Sequence, residues 1–212
     1  GGALAGQKFL DESLAVYLPA LALDPDDAVA HNNLGMALSA SGRNKEAEEA
    51  LRRAIALDPR YAEAYANLGL LLGPTDRAEE AIEAFRTAID IDPGPIGAHN
   101  DLAATLGRLG RGAEAAAAWS NALRFGPEDP SLLYNTSLSL NQLGSHREAI
   151  SRLRRGLEAA PNSSRFASLL AWELATAPNS ELRDGPEALS LARRVHDAYP
   201  RDPSAVDVLA AA

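Results

Sequence analysis

Proline recurs along this chain at a fixed interval, and that interval constrains the fold more than any other feature. Five prolines stand 34 residues apart, and a sixth follows after 39 residues. They are Pro25, Pro59, Pro93, Pro127, Pro161 and Pro200. Two alanine-rich series and a leucine series run in phase with the prolines. A period of about 20–50 residues held by several columns indicates supersecondary units that stack one on the next.

Each period contains two stretches with the spacing of an amphipathic helix. In the first complete period, His31, Leu34 and Leu38 fall on one helical face, at i, i+3 and i+7. Gly42 follows, where a helix end needs a left-handed backbone, and Pro59 closes the second helix because proline cannot continue the hydrogen-bond ladder. The pattern therefore predicts helix–turn–helix–turn units.

Small residues recur where the two helices of a unit would face each other, which predicts close approach of the helix axes. A larger side chain in each second helix would fill the remaining space. The facing pairs are Gly35 and Ala47, Gly69 and Ala81, Ala103 and Ala115, and Ser137 and Ala149; the larger residues are Leu51, Phe85, Trp119 and Leu153.

Two segments carry this pattern nearly throughout: HNNLGMALSASGRNKEAEEALRRAIALDP, His31–Pro59, and YANLGLLLGPTDRAEEAIEAFRTAIDIDP, Tyr65–Pro93. In period and in these columns the chain resembles the tetratricopeptide repeat (TPR) family along essentially its whole length. The resemblance implies an all-α fold, a right-handed α-solenoid of stacked helix–turn–helix repeats. It is specific for the fold and weak for function, because one fold serves many partners.

The phase of the columns divides the chain into one solenoid of successive repeats. Because a solenoid needs polar capping repeats to stay soluble, and both ends cut through a repeat, we interpret the chain as a fragment of a longer protein. The alternative is a natural chain with a degenerate start. The predicted units are 1–27 (truncated), 28–61, 62–95, 96–129, 130–163, 164–202 with five extra residues between its helices, and 203–212 (the start of a further repeat).

Composition excludes several classes of function. Twenty Lys and Arg against 29 Asp and Glu give a net charge of −9, which argues against nucleic-acid binding. Cysteine is absent, no apolar run reaches the roughly 20 residues of a membrane-spanning helix, and no phosphate loop or nucleophile elbow appears. We therefore expect a soluble protein that is not an enzyme and has no cofactor and no metal. The sequence leaves the compartment open, and the cytoplasm or periplasm of a bacterium is the expectation.

The first helix of each repeat is unusually poor in charge. The first 14 positions of the five repeats from residue 28 to residue 202 hold only five charged residues among 70, although the chain carries 49 in all. Burial explains part of this deficit but does not explain the asparagines that recur there, because asparagine is a poor interior helix former. In the TPR family, the first helices line a concave groove.

We therefore predict that this groove binds another polypeptide. Asparagine amides can pair with a peptide backbone, and the larger neighbours would select side chains. For Leu70 and Trp172 the alternative is a place in the core, and for Arg108 it is a solvated cation. The first helices carry no lysine, which argues against the carboxylate clamp of chaperone-binding relatives. The predicted peptide-binding residues are Asn32, Asn33, Met36, Asn67, Leu70, Asn100, Asp101, Arg108, Tyr134, Asn135 and Trp172.

The main functional hypothesis is a protein–protein interaction scaffold that binds an extended peptide or a partner helix. Two alternatives stay open at this point. The chain could be the substrate-recognition arm of a larger enzyme such as a glycosyltransferase with fused repeats. It could also be a scaffold that associates end to end with its own copies through exposed apolar layers.

Overall fold

The computed structural model describes residues 14–199. The described residues form two compact units, unit 1 up to Leu109 and unit 2 from Gly110 onward. The predicted end segments 1–13 and 203–212 lie outside the described residues. Within the described part, every regular element is helical and no strand occurs, as the repeat pattern predicts.

The first unit contains two helix pairs and one further helix. Residues 14–23 are helical and precede the pairs. Within this unit each helix packs against the next one along the chain, and the first helices of consecutive repeats also contact each other. The helices are α1 (Ala28–Ala40), α2 (Asn44–Leu57), α3 (Ala62–Leu72), α4 (Ala78–Ile91) and α5 (Ile96–Arg108).

The second unit contains one helix followed by two helix pairs. Its helices are α6 (Gly112–Ala122), α7 (Pro130–Gln142), α8 (His146–Ala159), α9 (Ser164–Thr176) and α10 (Gly185–Ala198). The connection from α9 to α10 covers residues 177–184, five more than the connection from α1 to α2, and it contains the 3₁₀ turn Ser180–Leu182. The backbone N–H of Asp184 donates to the Leu174 carbonyl at 2.9 Å, which fastens this longer connection to α9.

Caps and turns explain where the helices begin and end. Asp27 Oδ1 accepts from the backbone N–H of Val29 and of Ala30, at 2.9 and 3.0 Å, and so satisfies the free donors at the start of α1. Gly42 has φ +80°, the left-handed conformation predicted for the turn inside the repeat. Pro74 replaces a helical residue, and α3 accordingly ends at Leu72.

The predicted close approach of the two helices is present in the repeats that contain Gly35 and Gly69. A Cβ built on Gly69 would lie 2.7 Å from Cε1 of Phe85, and one on Gly35 would lie 2.7 Å from Cγ of Leu51. Both large side chains are buried. Glycine at these positions therefore gives the larger residue of the facing helix its space.

Within the part of the chain that the structure describes, no helix combines the length and the apolar character that crossing a bilayer requires.

Candidate functional site

The asparagines of the first unit form a hydrogen-bonded chain inside the protein. Asn67 Nδ2 donates to Asn32 Oδ1 at 2.9 Å. Asn32 Nδ2 in turn donates to Tyr61 Oη at 3.3 Å and, weakly, to Asn33 Oδ1 at 3.5 Å. Asn32 is fully buried and Asn67 is 8% exposed. The side-chain amides therefore connect the first helices of two consecutive repeats.

This network corrects part of the sequence-based interpretation. Asn32 has no exposed surface, so it does not line the face as predicted; it lies beneath it and holds Asn67 in place. Only a small part of the Asn67 side chain is exposed. Buried amides need partners, so packing between repeats accounts for these two asparagines. Asn33, which is half-buried, remains available at the surface.

Tyr61 completes the network at the loop before α3. Burial raises the pKa of the Tyr61 phenol, the nearby Glu63 carboxylate raises it further, and the hydrogen bond from Asn32 opposes both effects. The phenol is therefore neutral around pH 7, and its own O–H can still donate.

Two apolar side chains lie exposed beside these asparagines. Met36 is 41% exposed and Leu70 is 45% exposed, at equivalent positions of α1 and α3. The sequence left open whether Leu70 belongs to the core, and the structure places it at the surface. We name the surface formed by Asn33, Met36, Glu63, Leu70 and Asp101 the first-helix face of unit 1.

Asp101 is the charged residue of this face that is most withdrawn from water. It lies on α5, 34 residues after Asn67 and at the equivalent position. Partial burial raises the pKa of the Asp101 carboxyl, while a hydrogen bond from the neighbouring Asn100 side chain lowers it. Asn100 therefore serves Asp101 as a hydrogen-bond donor.

Arg108, predicted to meet an acidic group of a ligand, has partners within the protein. Its Nη2 donates to the Gly73 carbonyl at 2.8 Å and to Thr105 Oγ1 at 3.3 Å. Gly73 is the residue that caps the end of α3, where carbonyls lack helical partners. Arg108 thus closes the end of the neighbouring first helix.

The predicted residues of the second unit lie on α7 and α9. Tyr134 is half-buried, packs edge-on against Phe166 with ring centroids 5.7 Å apart, and lies under the Arg165 guanidinium, whose Cζ is 4.8 Å from its centroid. Asn135 is half-buried. Trp172, for which the sequence left a core position open, is 41% exposed.

A buried carboxylate in the second unit was missed by the sequence analysis. Glu173 is 2% exposed, and its Oε2 lies 2.9 Å from His146 Nδ1 while Asn141 Nδ2 donates to its Oε1. The signal was available, because the equivalent position of the other repeats holds only uncharged residues. Those residues are Ala37, Leu71, Thr105 and Ser139, all buried.

Two histidines make the same contact in alternate repeats. His31 Nε2 and His99 Nε2 each lie 3.0 Å from the carbonyl of the proline six residues earlier, Pro25 and Pro93. They join the loop between repeats to the following helix. Among residues 14–199 no group of three or more potential metal ligands occurs.

Family models establish what these repeats are. The tetratricopeptide repeat model matches residues 33–94 and 100–164, and a second model, TPR repeat, matches residues 3–42. The chain belongs to the tetratricopeptide repeat family. No curated protein matches this TPR chain.

Solved structures with the same fold cover most of this TPR protein. YrrB, described as a TPR protein with an unusual peptide-binding site, is 20% identical with a TM-score of 0.76 over 91% of this chain and 96% of its own. PilF of Pseudomonas aeruginosa is 20% identical with a TM-score of 0.72 and covers 99% of both chains. MamA is 25% identical with a TM-score of 0.64 over 71% of this chain and 88% of its own. The predicted family and the all-α TPR solenoid class are thereby confirmed.

Proposed function

We propose that this TPR protein is an interaction scaffold whose first-helix face of unit 1 binds an extended segment of another polypeptide. Repeat proteins of this kind bind partners on surfaces built from equivalent positions of successive repeats. The proposal contains no catalytic step and no cofactor.

The observation that carries the proposal is the exposure of Met36 and Leu70 at equivalent positions of consecutive first helices. Contiguous exposed apolar patches mark interaction sites, and these two side chains lie on first helices that contact each other. Asn33 lies one helical turn before Met36 and offers amide groups to a peptide backbone. The description of YrrB, which has the same fold, as a peptide binder makes a peptide the first ligand to test.

In the second unit we propose Tyr134, Asn135 and Trp172 as further peptide contacts. Trp172 supplies exposed aromatic surface of the kind that anchors ligands. Arg165 over the Tyr134 ring holds that side chain in one orientation.

The test is a titration of purified chain with peptides selected from a randomised library. Replacing Met36 and Leu70 together by serine should weaken binding by about tenfold or more, because two apolar anchors are removed. The matched control replaces Leu109 and Leu143, which are comparably exposed at the ends of α5 and α7. Equal losses in both variants, or binding unchanged by either, would argue against this face.

A second candidate is association of two copies through the first helical segment. Val16, Leu18 and Leu23 are 63%, 52% and 89% exposed on the helical residues 14–23, and Val16 and Leu23, seven positions apart, lie on the same side of that helix. Light scattering over a concentration series should then show a dimer that Leu23→Glu dissociates, and a monomer at every concentration would exclude it.

A further inference from the structure

We propose that the segment bound at the first-helix face of unit 1 carries a lysine or arginine, and that its cation pairs with Asp101 while a nearby apolar side chain covers Leu70. This inference rests on the proposed function and specifies the chemistry of its ligand.

Asp101 is partly buried and has no ion pair among the described residues, unlike Glu48 and Glu80. Glu48 and Glu80 on the second helices are bound by Arg77, with N···O distances of 2.9 and 2.6 Å. Among the described residues no ion pair involves Asp101, and the partner that influences its ionisation is the neutral Asn100 side chain. A partly desolvated carboxylate without a counter-charge is stabilised when a ligand brings one.

The helices α1, α3 and α5 themselves supply no free cation. Arg108 is the single Lys or Arg of α1, α3 and α5, and its guanidinium is held by Gly73 and Thr105. It also stands seven residues from Asp101, which is about 10 Å along a helix. We therefore assign the cation for Asp101 to a partner.

The charge of the unit favours a basic ligand and disfavours an acidic one. Residues 1–109 contain nine Lys and Arg against seventeen Asp and Glu. Glu63, exposed on α3 one turn before Asn67, adds a second carboxylate to the same face. Such a field speeds the approach of basic peptides and repels acidic ones, with an effect that falls as salt rises.

The spacing of the helices predicts the spacing of the ligand's side chains. Neighbouring helices pack about 8–10 Å apart, and an extended peptide rises about 3.3 Å per residue. Leu70 lies on α3 and Asp101 on α5, so the apolar residue and the basic residue should stand about three positions apart.

The experiment is a selection of binders from randomised peptides of about ten residues, carried out on the full chain, on Asp101→Asn and on the control Glu83→Gln. Glu83 is exposed on the second helix α4, away from the face. The wild-type chain and the control should enrich peptides with Lys or Arg about three positions from an apolar residue. Asp101→Asn should lose this enrichment, and selected basic peptides should bind it a few-fold to about tenfold more weakly.

The possible outcomes separate this inference from the proposed function. Binders that depend on Met36 and Leu70 but have no basic residue, or that bind Asp101→Asn equally well, would overturn the cation inference and leave the face intact. Binders that ignore Met36 and Leu70, or the absence of any binder, would count against both. Replacing the selected Lys by norleucine should reproduce the loss seen with Asp101→Asn, and the two losses should not add.

Discussion

Asn67 donates a 2.9 Å hydrogen bond to Asn32 across 35 residues of sequence. Because of this bond, Asn32 should contribute to stability, whereas the adjacent Asn33 should contribute to binding. Asn32→Ala should lower the free energy of unfolding by about 1–3 kcal/mol, because it leaves the Asn67 amide buried without an acceptor. Asn33→Ala, one position later, should change stability by less than about 0.5 kcal/mol and instead weaken peptide binding. Urea unfolding of both variants tests this, and equal destabilisation would contradict it.

Asp101→Asn should stabilise the chain near pH 7 and lose this advantage in acid. The pKa of Asp101 is raised in the folded state, so its ionisation opposes folding. The contribution of Asp101 to the free energy of unfolding therefore falls as the pH rises from the ordinary aspartate pKa, about 3.9, through the raised pKa of the folded state. Thermal unfolding of wild type and variant from pH 3 to pH 7 should show melting temperatures that separate as pH rises. Glu83→Gln serves as the control, and curves of Asp101→Asn that run parallel to wild type would refute the prediction.

The contribution of Glu48 to stability should depend on pH in the opposite direction from that of Asp101. Hydrogen bonds from the Arg77 guanidinium lower the pKa of this carboxyl, and Arg52 adds to the effect at 2.8 Å. Its contribution to stability is complete above the ordinary glutamate pKa, about 4.3, and is lost as pH falls through the lower folded value. Urea unfolding should show that Glu48→Gln costs about 1 kcal/mol at pH 7 and nothing in strong acid. The exposed control Glu49→Gln should cost less at pH 7, and equal costs there would contradict the prediction.

Glu173→Gln should destabilise the second unit by about 1–3 kcal/mol. The glutamine carbonyl can still accept from one of Asn141 and His146, but its amide then turns N–H groups toward the other. The control is Glu181→Gln, whose side chain is 78% exposed and lies 3.8 Å from Arg147. Hydrogen exchange at the start of α8 should quicken in Glu173→Gln only, and unchanged exchange would show that the contact carries no stability.

Gly69→Ala should destabilise the chain although alanine favours a helix. The new methyl group would lie 2.7 Å from the Phe85 ring, an overpacking cost of about 1–3 kcal/mol against a propensity gain of about 1 kcal/mol. Gly97→Ala meets open space in α5 and should be neutral or slightly stabilising. Melting temperatures that rise in both variants would mean that Phe85 moves aside freely.

The sequence predicted the helices well because their causes are local and repeated. Columns of small and large residues determine which faces meet, and Gly42 and Pro74 sit where a left-handed turn and an early helix end are required. The same periodicity placed Met36, Leu70 and Trp172 on first helices. Whether each of these side chains is covered depends on the neighbouring repeat, so periodicity alone does not determine its exposure.

The sequence could not predict the hydrogen bonds between repeats, such as those from Asn67 to Asn32 and between His146 and Glu173. Each joins residues about one repeat apart and depends on the orientation of both side chains. Asn32 and Asn33 are adjacent and chemically identical, yet one is buried and the other reaches the surface. A rotation of 100° per residue along a helix separates them, and only the packing of α3 determines which points inward. Glu173 is one of the five charged residues on first helices, and its carboxylate contacts His146 of the preceding repeat.

The bond between Arg108 and Gly73 means that an irregularity in one repeat is repaired by the next. Pro74 cuts α3 short and leaves a carbonyl at its end, and a side chain 35 residues later supplies the missing donor. The two positions should therefore change together during evolution: a repeat that regains a full-length first helix no longer needs an arginine in its successor. Transplanting a single repeat between proteins would remove such a hydrogen bond between consecutive repeats. The smallest unit that can be transplanted is therefore a pair of repeats.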